Sequence, residues 1–388
     1  MVKNLISMYF DKYFESFQTL QIADLSNIVE DNDQTFLYNN ILQSQVEANR
    51  AINLSYTKYN VNLDFKNILF SGNKATVNAL MSCDYAYSTT PDQKSAMYNI
   101  EYNFELSKIN SQWKITSIDS NFNEYDYFKN QVGEKQKKGL SKRQAITETK
   151  KERSDNIKIT IDYLKGNPLI KPNNEKQNKT TFSTMSVSVS YNKWLAVNWA
   201  QRFATAPNES RFFYTAGTND CTNFVSQCVW AGYGGYVEGN DTQTKTNISN
   251  KFRMINVYPS GWYGGAIGGG GTPAWESVVS LWNYATPVHS SGPNATGYNN
   301  NQPYYNYLPN QIYLGEVLQF RNGSTGDYTH SVIVTYSKDS NNSYYSDILV
   351  SQHSDNLWNR NLWELIQNKG GNSCYMRDMT FKSASFAS

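Results

Sequence analysis

Gly217-Thr218-Asn219-Asp220-Cys221-Thr222-Asn223-Phe224-Val225-Ser226-Gln227-Cys228-Val229-Trp230-Ala231-Gly232 joins a polar turn to an apolar helix that stops at glycine. Asn219 or Asp220 can cap that helix, Phe224, Val225, Cys228 and Val229 recur at helical spacing, and Gly232 is a natural terminator. Cys221 therefore falls in the first turn, where unpaired N–H groups and the positive end of the helix dipole favour a negatively charged sulfur. A cysteine nucleophile is expected at such a loop-to-helix boundary. Cys228 lies two turns on, inside the apolar run, and reads as core. The two cannot bridge to each other, because two turns of helix span roughly 10 Å, beyond the roughly 7 Å allowed between bridged Cα atoms.

On either side of this stretch the chain alternates between amphipathic and irregular segments. Tyr191 to Phe203 reads as a helix with Trp194, Leu195, Val197, Ala200 and Phe203 on its inner side. Gly232 to Leu308 is rich in Gly, Asn, Tyr and Trp and reads mainly as loop, with a short helix near Trp275 to Trp282. Long loops in a compact domain are usually functional, so Trp262, Trp275 and Trp282 are candidates for lining a groove. Strands are predicted at Glu316 to Phe320, His330 to Tyr336 and Ile348 to His353.

Tyr191-Asn192-Lys193 with Ala196-Val197 and Trp199-Ala200, followed by Asn219-Asp220-Cys221-Thr222-Asn223-Phe224-Val225-Ser226-Gln227, resembles the putative amidase domain family of bacterial cell-surface proteins. That family is related to the NlpC-type and CHAP cysteine hydrolases with a papain-like core. The resemblance is specific around Cys221 and covers roughly residues 188 to 385. It implies a papain-like α+β domain with a helix-borne cysteine and an antiparallel sheet. In the superfamily a Gly-Asp-Val-type strand precedes a histidine that opens the next strand; Gly315-Glu316-Val317 and His330 fit that order, with Glu in place of Asp. His330 is thus the candidate general base for Cys221. A third polar group should orient the imidazole. The superfamily keeps it at the end of the following strand, here Gln352-His353-Ser354-Asp355. His353 is the expected residue, with Asp355, Ser351 and Gln352 as alternatives.

The implied activity is that of a cysteine amidase or peptidase acting on peptidoglycan peptides through a thioester acyl-enzyme. A non-catalytic wall- or protein-binding module on the same fold, or an acyltransferase with the same triad, is the alternative. The family's setting implies an extracellular or cell-surface location on a bacterium. The start, Met1-Val2-Lys3-Asn4-Leu5, has no signal-peptide core, so such a chain would be a mature form. The other reading of that start is a cytoplasmic protein.

The first 130 residues have a different pattern. Leu5, Ile6, Tyr9, Phe10, Tyr13, Phe14, Phe17 and Leu20 form one helical stripe, and Phe36, Leu37, Ile41, Leu42 and Val46 a second. After Asn60 the period turns alternating, through Val61-Leu63-Phe65, Ala75-Val77-Ala79, Tyr98-Ile100-Tyr102-Phe104 and Trp113-Ile115-Ile118. Helices followed by hairpin strands predict an α+β domain, with helices on a curved antiparallel sheet. The order resembles a nuclear-transport-factor-two-like cone, serving as a spacer or binding module. Residues 131–187 read as a basic linker with a short helix, and residues 188–388 as the amidase-like domain. Thirteen Lys or Arg stand against six Asp or Glu between Gln131 and Thr180.

Composition narrows the function further. With 388 residues there is room for two or three domains. A net charge of +2 without a basic, aromatic-interleaved motif gives no argument for nucleic acid. Cys83, Cys221, Cys228 and Cys374 form no CxxC pair, and His289, His330 and His353 have no metal-ligand spacing. No metal and no cofactor are expected. No apolar run approaches the roughly 18 residues of a membrane helix, and the expected state is a monomer.

Overall fold

The computed structural model describes residues 1–166, 186–206, 212–213, 220–265, 270–287 and 289–387. The turn at 217–219, with its Asn219 cap, and residues 167–185 of the basic segment lie outside them. The chain divides into two compact units, Met1–Asn167 with Trp363–Asn372, and Pro168–Leu362 with Ser373–Ser388.

In the first unit the two apolar stripes become α1 (Val2–Thr19) and α2 (Asp33–Arg50). Asn32 caps α2, its side-chain oxygen accepting from the backbone N–H groups of Gln34 at 2.9 Å and Thr35 at 3.2 Å. Strands β1 (Tyr56–Ser71), β2 (Lys74–Tyr87), β3 (Ser95–Ile109) and β4 (Gln112–Ser120) follow as an antiparallel meander in that order. Alternation decides which side chains enter the core: Ala75, Val77, Ala79 and Met81 of β2 are buried together with Ile6, Phe10, Ile41 and Val46 of the helices.

The segment read as a basic linker continues into α3 (Asp126–Lys137) and α4 (Lys142–Gly166). Several of its cations are answered by neighbouring helices, Lys135 by Glu152 at 2.6 Å, Arg143 by Asp33 at 3.0 Å and Lys150 by Glu47 at 3.0 Å. Ala145, Ile146 and Ile157 are buried. The charge excess therefore decorates packed helices as far as residue 166.

Residues 363–372 complete this unit from far along the chain. The carboxylate of Glu364 accepts hydrogen bonds from Asn49 at 2.6 Å, Tyr87 at 2.8 Å and Tyr56 at 3.3 Å. The Trp363 indole donates to the Ala48 carbonyl at 3.2 Å, and Arg153 donates to the Gln367 carbonyl at 3.0 Å. A buried carboxylate is tolerated only with such donors around it.

The second unit runs β5 (Ser186–Val189), α5 (Lys193–Phe203), α6 (Cys221–Gly232), α7 (Asp241–Ser249), α8 (Pro273–Glu276), α9 (Val278–Ala285), β6 (Ala295–Tyr298), β7 (Val317–Asn322), β8 (His330–Tyr336), β9 (Leu349–Gln352), β10 (Leu357–Asn361), β11 (Cys374–Phe381) and β12 (Ala384–Ala387). Its sheet is antiparallel in the order β10-β9-β8-β7-β11-β6, and β12 pairs with β5. Both units are thus α+β with antiparallel sheets. Every residue of α6 is buried, so this helix is the middle of the core.

Two readings of aromatic residues change. Trp194 is 61% exposed, because the inner face of α5 is formed by Ala196, Val197, Trp199, Ala200 and Phe203. Trp262 and Trp275 line no groove; they are fully buried against each other with ring centres 4.6 Å apart, and Trp282 is buried too.

Candidate active site

Cys221 is the first residue of α6, as its position after a polar turn predicts. Asp220 stands at the N-cap, but its carboxylate caps no backbone group. Its Oδ1 accepts from the Asn223 amide at 2.7 Å, and its Oδ2 lies 2.6 Å from His353 Nδ1. Asn223 in turn accepts from the Trp275 indole N–H at 2.6 Å and from Gln227 at 3.3 Å. The helix start is therefore held by side chains rather than by a simple cap.

The next residue ties this start to the sheet: the Thr222 and Ser331 hydroxyls are 3.0 Å apart. Cys221 itself packs with Val278 and Tyr328. Tyr328 and Ser331 bracket His330, so the chain segment carrying His330 runs alongside the helix start that carries Cys221. His330 opens β8, is buried, and has its Nε2 2.9 Å from Gln352 Oε1. The register of β8 with β9 pairs Ile333 with Ser351, so strand alternation puts Gln352 on the His330 side and His353 on the other.

His353, the residue expected to orient His330, is engaged elsewhere. Its Nδ1 meets Asp220, its Nε2 lies 2.8 Å from the Phe203 carbonyl, and its ring stacks on Phe224 at 4.1 Å. Both ring nitrogens are taken, leaving none for His330. Ser351 bonds Thr335 at 3.2 Å and the Asn359 N–H at 3.1 Å, which makes it part of the sheet's own packing. Asp355 is buried in the turn after β9. Gln352, one of the four residues considered, is bonded to His330. Among the described residues no three His, Cys, Asp or Glu side chains could hold a metal ion together, and no helix is long and apolar enough to cross a membrane.

Residues 190–377 match the putative amidase domain family. The match spans Cys221, His330, Gln352 and the helix and strands that carry them, and it supports an amide hydrolase at the level of the family. No curated protein matches the chain. Solved structures similar to part of it include the intermembrane space region of chloroplast protein ARC6, at 17% identity and a TM-score of 0.25, over 31% of this chain and 92% of that one. Another is the Kfla4162 protein from Kribbella flavida, at 13% identity and a TM-score of 0.23, over 30% and 88%. Neither likeness is close enough to bear on the fold.

Beneath its cysteine the amidase-like domain carries a polar network that sequence reading missed. Gln319 on β7 donates to the Val278 carbonyl at 2.8 Å and to Ser331 at 3.2 Å, and accepts from Arg377 Nε at 2.8 Å. Arg377 lies over the Tyr328 ring at 3.8 Å, and Arg321 over the same ring at 4.9 Å. Burial holds the Arg377 guanidinium down to about 10, still charged at neutral pH. The pairing of Arg377 with Gln319 across β11 and β7 sets this geometry, and only the missed strand β11 could have disclosed it.

The same strands hold a second buried cluster. Glu316, just before β7, and Asp378 on β11 are neighbouring buried carboxyls that share the Thr380 hydroxyl, 2.7 Å from the first and 2.9 Å from the second. Burial, then the neighbouring carboxyl, pushes Glu316 well up, and burial pushes Asp378 up to about 7. Gly315 precedes them at φ 82°, where a Cβ would lie 2.6 Å from that of Lys193. Glu316 is thus a structural carboxyl.

Proposed function

We propose that the amidase-like domain is a cysteine hydrolase that cleaves an amide bond of peptidoglycan peptides at the cell surface of a bacterium. Cys221 Sγ attacks the amide carbonyl carbon, His330 takes the thiol proton and delivers it to the departing amine, and water then hydrolyses the thioester. Gln352, accepting from Nε2–H of His330, keeps the lone pair of the neutral ring on Nδ1, the nitrogen that takes the proton. The backbone N–H of Cys221, at the helix start, is the donor available to the oxyanion. What supports the reading is the Thr222–Ser331 bond, which brings the Cys221 and His330 segments side by side inside a domain that matches an amidase family. The choice of peptidoglycan rests on the resemblance to cell-surface amidases.

The test is incubation of the protein with purified peptidoglycan and mass spectrometry of what is released. New amine termini that vanish in Cys221→Ser, with an unchanged thermal unfolding curve, are the expected result. Retention on the wall without products, or crosslinked products, would overturn it in favour of a binding module or an acyltransferase.

A further inference from the structure

Arg321 and Arg377 of the amidase-like domain are buried, at 7% and 5% exposure, and among the described residues neither has a carboxylate within ion-pair distance. Arginine at that depth is normally paired. Here the partners are neutral: Arg321 donates to the Gly326 and Ser324 carbonyls at 2.7 and 2.8 Å, and Arg377 to Gln319 and Asn300. The Tyr328 ring compensates part of the charge. Even so, Arg377 Nη2 and Arg321 Nε make no hydrogen bond among the described residues.

The two edges of Arg377 differ. Its Nε edge is pinned by buried Gln319, whose amide is itself fixed by Ser331 and Val278. Among the described residues its Nη1–Nη2 edge is bonded only to the exposed Asn300 side chain, through a long 3.2 Å bond from Nη1. Displacing that amide would expose a planar fork matched to the two oxygens of a carboxylate. Tyr328 links the fork to Cys221, its ring 3.8 Å from the Arg377 guanidinium and its side chain in one apolar cluster with Cys221. We infer that Arg377, backed by Arg321, is a carboxylate subsite beside Cys221, and that the amide bonds cleaved are those of acidic peptides with a free carboxylate next to the scissile bond. This rests on the hydrolase reading above, since it names the substrate of that site.

The test uses the full chain and two synthetic peptidoglycan stem pentapeptides, one with its carboxylates free and one with all of them amidated. Calorimetry on Cys221→Ala should show the free form binding at least about tenfold more tightly, the scale of a bidentate charged contact. Asn300→Asp puts a resident carboxylate on the fork from an exposed position, and should abolish that preference. Arg377→Lys, which keeps the charge without the fork, should raise KM for the free peptide and leave the amidated one unchanged; a merely structural loss would slow both alike. Equal binding of the two peptides, binding of neither, or a preference intact in Asn300→Asp overturns the inference. Cleavage of both peptides at equal rates by the unmodified protein would leave the hydrolase standing and remove the subsite. A carboxylate preference in binding without any cleavage would do the reverse.

Discussion

At the scale of single residues, the four cysteines provide an internal comparison. Burial pushes the thiol of Cys83 up to about 12 and that of Cys228 well up, and Cys374 is fully buried. Iodoacetamide at neutral pH should therefore label Cys221 first, and the rate should fall in His330→Ala; equal labelling of all four in the folded protein would remove Cys221 from the chemistry. The histidines separate by role in the same way. Gln352→Ala should lower kcat yet leave measurable turnover, because an orienting group contributes less than the base it orients. His353→Phe keeps the ring against Phe224 but removes the partner of Asp220 Oδ2 and of the Phe203 carbonyl, and should cost about 2–4 kcal/mol of stability, read as a fall in Tm. Loss of activity without loss of Tm would return His353 to the catalytic set. Cys221 and His330 were legible because each opens an element, and element starts are marked in sequence. Which of Gln352 and His353 shares a face with His330 was not decided there, since neighbouring residues of an extended chain point to opposite faces and a shift of one position reverses the assignment.

At the scale of elements, β7 and β11 share the Glu316–Asp378 pair, which gives the sheet a pH dependence. Asp378 titrates near 7 when folded against about 3.9 when unfolded. The folded state therefore holds the proton more tightly, and the stability this contributes is present below about pH 4 and lost as pH rises through about 7. Urea midpoints should fall between pH 5 and pH 8 more steeply in the wild type than in Asp378→Asn; parallel slopes would mean the pair does not titrate in that window. Elements with clear periodicity were read from the chain with small shifts at their ends: α1, α2, the four-strand meander, β7, β8 and β9. Those missed had weak patterns of their own. The α7 sequence Asp241-Thr242-Gln243-Thr244-Lys245-Thr246-Asn247-Ile248-Ser249 has almost no apolar face, and β11 mixes Arg377 and Asp378 into its buried positions because they answer partners on β7 and in neighbouring loops. Periodicity reports apolar burial and is silent on polar burial.

At the scale of the whole molecule, neither unit is one continuous stretch of chain. The first unit takes residues 363–372 from beyond the amidase-like sheet strands β6 to β10, a donation that no local pattern can announce because it depends on what this segment packs against. A fragment of residues 1–167 would lack the large buried side chains of Trp363, Leu365 and Ile366, and would leave Asn49, Tyr56 and Tyr87 without the Glu364 carboxylate. Losing even one such side chain costs about 2–5 kcal/mol, against a total of about 5–15 kcal/mol for a domain. The isolated fragment should unfold at a much lower temperature than the intact chain, and a synthetic peptide of residues 362–373 should raise its Tm in proportion to peptide concentration; a fragment as stable as the whole, indifferent to the peptide, would refute this. The arrangement also bears on synthesis. Domains generally fold in the order in which the ribosome delivers them, but here the part translated first waits for a piece translated almost last. Until residue 372 has emerged, the first unit has an open seat, so any ribosome that stops early releases a chain in which neither unit is finished.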